Sequence, residues 1–291
     1  MTSASGPPPG PESTLPVLTV GDGPNLVVAL HGITASAMTW PPVARRLSTD
    51  WTLVAPDLRG RGAAAGLPGP YGVHRHADDV CALVRSRSDC GAVLVGHSMG
   101  AFVALLAAAS APELFRRLVL VDGGLPFPPP PEGVNVDDAL AATLGPALDR
   151  LNTTFESEQA YLDFFRAHPA LTADWNDDIA DYARYDLTGE PGRLRSRVVG
   201  DAVRADGRDV LVLSDDYLAA WEALRVPTVV LRAPRGMFGQ VPGLIADEVA
   251  AEAARRRPDI PIETVADANH YTIVLADRFA AEVARRIEAA E

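Results

Sequence analysis

Short apolar runs rich in Val, Leu and Ala alternate with helix-like stretches along most of this chain, and that alternation constrains the fold more than any other feature. "PVLTV" (16–20), "NLVVALHG" (25–32), "WTLVAPD" (51–57), "AVLVGHS" (92–98), "RLVLVDGG" (117–124), "PTVVLRA" (227–233) and "PIETVAD" (261–267) read as strands. Between them lie helical patterns at "WPPVARRL", "HADDVCALVRS", "MGAFVALLAAAS", "IADEVAAEAARRR" and "ADRFAAEVARRIEAA". Continuously apolar strands bounded by helices are buried on both faces, which is the mark of a mostly parallel sheet with helices on either side. The fold class expected is α/β.

The alternation breaks once. "LPFPPPPEG" (125–133) is a stiff proline linker, and from there to Leu224 the patterns are mostly helical: "VDDALAATL", "SEQAYLDFFRAH", "WNDDIADYARY" and "DDYLAAWEAL". This predicts a core in two parts, 16–125 and 225–291, with a helical cap at 126–224 lying over the sheet. The cap holds 19 acidic residues against 8 arginines, so nearly all of the chain's net charge of -12 lies there. It is expected to be a solvated outer face that also disfavours polyanionic substrates.

The negative charge argues against nucleic acid and anionic membranes as partners. No apolar run reaches membrane-spanning length. The start, "MTSASGPPPGPEST", lacks the basic and apolar regions of a signal peptide and reads as a disordered lead-in over 1–15. The two cysteines, Cys81 and Cys90, suggest neither a disulfide framework nor a metal cluster, which makes a reduced, cytoplasmic setting the expectation. Oligomeric state is not legible.

Chemistry enters at "VLVGHSMGA". Gly96-His97-Ser98-Met99-Gly100 is a G-x-S-x-G between an apolar strand and a small-residue helix. Such a turn is tight, its glycines relieve the crowding, and Ser98 is lifted above the sheet edge. A hydroxyl needs a base to attack. Of the six histidines, His270 in "VADANHYTIV" follows the last strand directly, at the edge from which an imidazole reaches Ser98. An oxyanion hole needs two preorganised N–H groups. Met99, next to the nucleophile, and Ile33, in the loop after "VVALHG", are the expected donors, and Gly32 permits close approach.

These pieces together resemble the α/β-hydrolase superfamily: "LHGITASAMTW", "APDLRGRG", "GHSMGA", "LVLVDGG" and "DANHY" stand in the family's order, over residues 16–125 and 224–290. Asp57 and Arg59 match a turn read as structural. No metal-ligand cluster and no dinucleotide glycine loop appears in the sequence, so the chemistry is expected to need no cofactor. Ser98 at the nucleophile position departs from the Asp of haloalkane dehalogenases and epoxide hydrolases, and implies acyl transfer.

The resemblance also implies an acid for His270, usually in the loop after the strand "VPTVVLRA". Here that loop reads "PRGMF" and holds none. Asp122, ending the strand next to the nucleophile strand, is the expected replacement. Asp267, Asp247, Glu248, a cap residue or no acid at all are the alternatives. The leading expectation is a serine esterase or lactonase acting on a small, neutral, apolar substrate, with no cofactor and no metal. C–C bond hydrolases and perhydrolases share the constellation, and ligand receptors with vestigial turnover share the fold. Cap aromatics Phe127, Phe155, Tyr161, Phe164, Phe165, Trp175, Tyr182 and Trp221 are expected to roof the pocket, with Arg235, Met237 and Phe238 on its rim.

Overall fold

A computed structural model describes residues 15–131 and 133–289, so the expected lead-in falls, but for Leu15, outside the described residues. In chain order the elements of the first part are β1 (Val17–Val20), β2 (Asn25–Leu30), α1 (Pro41–Ala44), β3 (Trp51–Pro56), α2 (Val73–Arg85), β4 (Ala92–His97), α3 (Met99–Ser110) and β5 (Phe115–Val121). Next come α4 (Val136–Asn152), α5 (Glu158–Arg166), α6 (Asp177–Asp186), β6 (Leu187–Glu190), β7 (Arg193–Ser196), α7 (Gly200–Val212) and α8 (Ser214–Ala223). The chain returns to the sheet with β8 (Thr228–Arg232), α9 (Asp247–Arg256), β9 (Ile262–Thr264), α10 (Thr272–Leu275) and α11 (Asp277–Glu288).

Seven strands form one sheet in the order β1-β3-β2-β4-β5-β8-β9, parallel except for β1. Successive side chains of a strand point to opposite faces, and the core divides accordingly. Val28, Leu30, Leu94, Leu118 and Leu120 pack with α2, α3 and α8 on one side. Val27, Ala29, Val93, Val95, Val119 and Val121 pack with α1, α10 and α11 on the other. Because both sides are covered, the central strands β4, β5 and β8 are mainly apolar, which is why their pattern was a run and not an alternation. At about 25 cal/mol for each Å² removed from water, this doubly buried sheet is the main source of stability.

The strand order reverses between β2 and β4, and ligands of open α/β sheets bind outside the carboxyl ends of the strands at such a point. Ile33, Ser98 and Asp122 follow β2, β4 and β5, and His270 follows β9.

The stretch 126–224 is not uniformly helical. Residues 187–196 form an antiparallel hairpin, β6–β7, and Phe155 bridges to Leu194 beside it. The hairpin is short, with one buried strand residue, Ser196, so no apolar period marked it. Helix α7 also had no expected counterpart, because Arg204, Asp206, Gly207, Arg208 and Asp209 interrupt its apolar spacing. Helix α8 packs on α3, with Tyr217 and Trp221 fully buried in the core beneath the sheet. That helix therefore belongs to the flanking layer. No helix among the described residues is long and apolar enough to cross a membrane.

Candidate active site

Ser98 sits between β4 and α3 with φ 56° and ψ -124°, a left-handed backbone that non-glycine residues rarely adopt. Strain of this kind costs on the order of 1–3 kcal/mol and persists only where its surroundings enforce it. Here the Ser98 amide donates to Val121 O at 2.9 Å, and its carbonyl accepts from Ala101 N at 2.9 Å. The flanking glycines are a steric need: a Cβ at Gly96 would stand 2.2 Å from Gly100 O, and one at Gly100 2.4 Å from Leu30 O.

Asp122 directly follows β5 and also has a positive φ, 47°. Its amide donates to Leu231 O at 2.7 Å, and its Oδ1 accepts from Ala233 N at 3.0 Å. The remaining oxygen, Oδ2, lies 2.7 Å from His270 Nδ1, and His270 Nε2 lies 3.1 Å from Ser98 Oγ. With Nδ1–H donating to the carboxylate, the Nε2 lone pair faces the serine hydroxyl. Asp122 and His270 are both buried, so water competes little for these bonds.

The His270 loop is built around its neighbours. Asn269 Oδ1 caps α10 by accepting from Tyr271 N and Thr272 N, while its Nδ2 donates to Ala170 O at 2.8 Å. His97 donates from Nε2 to the His270 carbonyl at 2.7 Å. Burial, then the nearby His270 ring, holds His97 well below the ordinary imidazole range, so it stays neutral in this role. His97, inside the serine turn, thus braces the His270 loop.

The alternative acids lie elsewhere. Asp247 is largely exposed and pairs with Arg232 at 2.6 Å. At Asp267 the backbone carbonyl accepts from Arg235. Arg235, expected at the pocket rim, thus braces the histidine loop.

Ile33 and Met99 both line the space in front of Ser98, and neither amide has an acceptor among the described residues. Two free N–H groups beside a serine hydroxyl are what a developing oxyanion requires. His31 fixes part of this loop. Its Nδ1–H donates to Gly32 O at 2.8 Å and its Nε2 accepts from Leu58 N at 3.0 Å. Burial pushes the ring down to about 4, so the tautomer is set by these two bonds.

In front of the site lies a cavity of about 260 Å³. Its walls include Phe102, Leu125, Phe127, Leu140, Leu144 and Met237, and no charged side chain among the described residues lines it. Tyr182 and Tyr271 add hydroxyls; burial raises both above the ordinary phenol value, Tyr271 to about 12. Of the aromatics expected as a roof, Phe127 and Tyr182 line this cavity. Phe164, Phe165 and Phe238 border a smaller hollow beside it, with Arg150. Phe155, Tyr161, Trp175 and Trp221 pack within the protein instead. No group of three or more His, Cys, Asp or Glu among the described residues is placed to hold a metal ion.

Asp57 accepts from Ala37 N and Ala63 N, each at 2.8 Å, and from the Tyr185 hydroxyl at 2.6 Å. Arg59 pairs with buried Asp79. Sequence reasoning missed a second set of buried polar groups: Arg61, His76, Asp206, Arg150 and Asp186. The one available signal was their type, since charged residues inside otherwise apolar helices are rarely buried without a partner.

A strained serine at a strand-to-helix turn, with a carboxylate after the neighbouring strand and an imidazole after the last strand of the same sheet edge, defines a hydrolase built on a mostly parallel sheet. The chain belongs to the alpha/beta hydrolase family, whose model matches residues 27–286. It is 32% identical over 258 residues to 2-(acetamidomethylene)succinate hydrolase of Mesorhizobium japonicum, covering 89% of this chain and 85% of that one. It is 29% identical over 262 residues to N-formylmaleamate deformylase of Pseudomonas putida, covering 87% and 84%. Among solved structures, E-2-(acetamidomethylene)succinate hydrolase superposes with a TM-score of 0.79 at 26% identity, covering 95% of both chains.

Proposed function

We propose that this hydrolase cleaves a small, neutral, mainly apolar carboxylic ester or lactone through a seryl acyl-enzyme. The observation that carries the proposal is the Asp122–His270–Ser98 relay opening into a cavity with no charged wall. As Ser98 Oγ bonds to the carbonyl carbon, its proton passes to His270 Nε2 and the carbonyl oxygen takes up the negative charge beside the Ile33 and Met99 amides. The imidazolium then protonates the leaving oxygen as the C–O bond breaks. Water attacks the acyl-enzyme, giving its proton to the same nitrogen, and Ser98 is released with the acid.

Cleavage of an amide C–N bond is a second reading, favoured by the match to two relatives whose names describe an acetamido succinate and an N-formyl maleamate. Those names carry carboxylates. Among the described residues the one arginine bordering the two hollows is Arg150, and Asp186 already meets its charge. A neutral acyl group fits these walls better. C–C bond cleavage needs the same relay and is separated by substrate alone.

The test combines a fluorophosphonate with a substrate panel. Rapid labelling that Ser98→Ala abolishes, with turnover of short p-nitrophenyl esters or γ-lactones, supports the proposal. Labelling accompanied by turnover of secondary amides or β-diketones only moves the assignment to those bonds. Absence of labelling in the wild-type protein overturns seryl chemistry and favours a binding role.

A further inference from the structure

Three consecutive carbonyls follow β2, and each has a buried donor. Gly32 O accepts from His31 Nδ1 and, at 3.2 Å, from Ala35 N. Ile33 O accepts from Arg61 Nε at 2.9 Å, and Thr34 O from Arg150 Nη2 at 3.1 Å. In a trans peptide the C=O and N–H point to opposite sides. The Gly32 carbonyl shares its peptide plane with the Ile33 amide, and the two arginines fix the next two planes of the same loop, which lines the cavity with Ser98.

The two arginines are themselves anchored, and the anchors lie far from the loop in sequence. Arg61 pairs with Asp206 on α7, and both side chains are fully buried. Asp206 also accepts from Gly72 N at 2.6 Å and lies 2.9 Å from His76 Nε2. Burial pushes the Asp206 carboxyl up, but Arg61 and His76 outweigh it and hold it below the usual range. Arg150, on α4, pairs with Asp186 at the end of α6, which also accepts from the Tyr161 and Ser196 hydroxyls. An ion pair bound only by its own attraction gains little from burial, because desolvation offsets it. Here further guanidinium donors are spent on two backbone carbonyls of the loop that lines the cavity with Ser98, which cap adhesion alone does not require.

We propose that Arg61 and Arg150 are positioning residues for the oxyanion site: anchored on Asp206 and Asp186 between β5 and β8, they hold the Ile33 and Thr34 carbonyls, the two peptides that follow the one carrying the Ile33 amide, and so keep the loop from turning that amide away from the reacting oxygen. The intervening segment thereby takes part in the chemical step as well as in enclosing substrate. This rests on the seryl acyl-transfer reading.

The test uses the full chain with Arg61→Met/Asp206→Asn and Arg150→Met/Asp186→Asn. Each pair removes the loop donor without leaving an unpaired buried charge, and Asn keeps an acceptor for the remaining donors. Arg61→Lys, which keeps the charge but loses the fork, serves if a double variant does not fold. The readouts are the thermal midpoint, kcat and KM for p-nitrophenyl butyrate, the rate of fluorophosphonate labelling, and inhibition by phenylboronic acid, whose tetrahedral adduct on Ser98 places an oxygen in the oxyanion site. The expected result is kcat, labelling rate and boronic-acid affinity lowered together by roughly 10- to 100-fold, with KM within about threefold of wild type. A lower thermal midpoint with kcat and boronic-acid affinity unchanged, or an effect on KM alone, overturns the proposal. A wild-type protein that is not labelled overturns the seryl reading itself, and is told apart because it precedes any variant.

Discussion

The carboxylate of Asp122 lies 2.7 Å from His270 Nδ1, across 148 residues of chain, and its other oxygen takes the amide hydrogen of Ala233. Ala233 opens "APRGMFG", the loop where the superfamily usually carries its acid. The loop without an acid thus orients the carboxylate on the neighbouring strand by a backbone bond.

Asp122→Asn tests that relationship. An amide at this position can donate to Nδ1 and stabilise the tautomer whose Nε2 carries the proton, which cannot accept from Ser98. Turnover is expected to fall by as much as about 10⁴-fold, the loss seen when the acid of a serine-protease triad is replaced in this way. The thermal midpoint should move little, because Asn keeps an acceptor for Ala233 N. Steady-state kinetics on the folded variant decide it, and near-normal kcat would remove Asp122 from the relay.

Gly32→Ala probes the space where the reacting carbonyl must sit. The added Cβ would stand 3.2 Å from Ser98 Cβ and 3.6 Å from both Ser98 Oγ and His97 Nδ1. The methyl therefore enters the site without striking backbone. Displacing a reacting group by about 1 Å can cost on the order of 10²-fold, so kcat/KM should drop by about that factor while urea unfolding stays close to wild type. Unchanged kinetics would mean that substrate does not approach over Gly32.

The parts of this site that could be read in the sequence are those set by short-range rules. The Ser98 turn is defined by five consecutive residues, and His270 by its place just after the last strand. Asp122 followed from strand order, because a parallel sheet brings all strand ends to one edge. The Arg61–Asp206 pair was not legible: 145 residues separate its members, and α7 shows a broken apolar period. The β6–β7 hairpin was hidden for a similar reason, since a short ribbon with one buried strand residue leaves no alternation. Individual roof aromatics also could not be ranked, because whether Phe127 or Phe155 faces the cavity depends on how the helices pack, and their composition is alike.

An acyl chain ending in a carboxylate should be a poor substrate. Placing it in a cavity walled by Phe102, Leu125, Leu140 and Leu144 leaves a charge without a partner, and the cost in such surroundings is several kcal/mol. The kcat/KM for a neutral p-nitrophenyl butyrate should exceed that for a p-nitrophenyl hemisuccinate by on the order of 10²-fold or more. Comparable values would show that the cavity supplies a cation, with Arg150 released from Asp186 the one to examine.

Stability should fall on mild acidification, before most carboxylates titrate. Burial moves His31 from 6.5 in the unfolded chain down to about 4 in the folded protein, and lowers His97 as well. Between those values the unfolded chain binds more protons than the folded one, so unfolding free energy rises with pH across that window. The contribution of a neutral His31 is fully present above about pH 6.5 and is lost progressively as the pH falls toward about 4. A shift of this size corresponds to roughly 3 kcal/mol. Asp206, held below the ordinary carboxylate range, adds a loss in the same direction only at lower pH. Urea unfolding at pH 7.5, 6 and 5 should therefore show a falling midpoint at constant m. In His31→Gln, whose starting stability is lower, the drop between pH 6.5 and 5 should be shallower. Equal slopes in wild type and variant would mean that His31 is not the group whose protonation destabilises the fold.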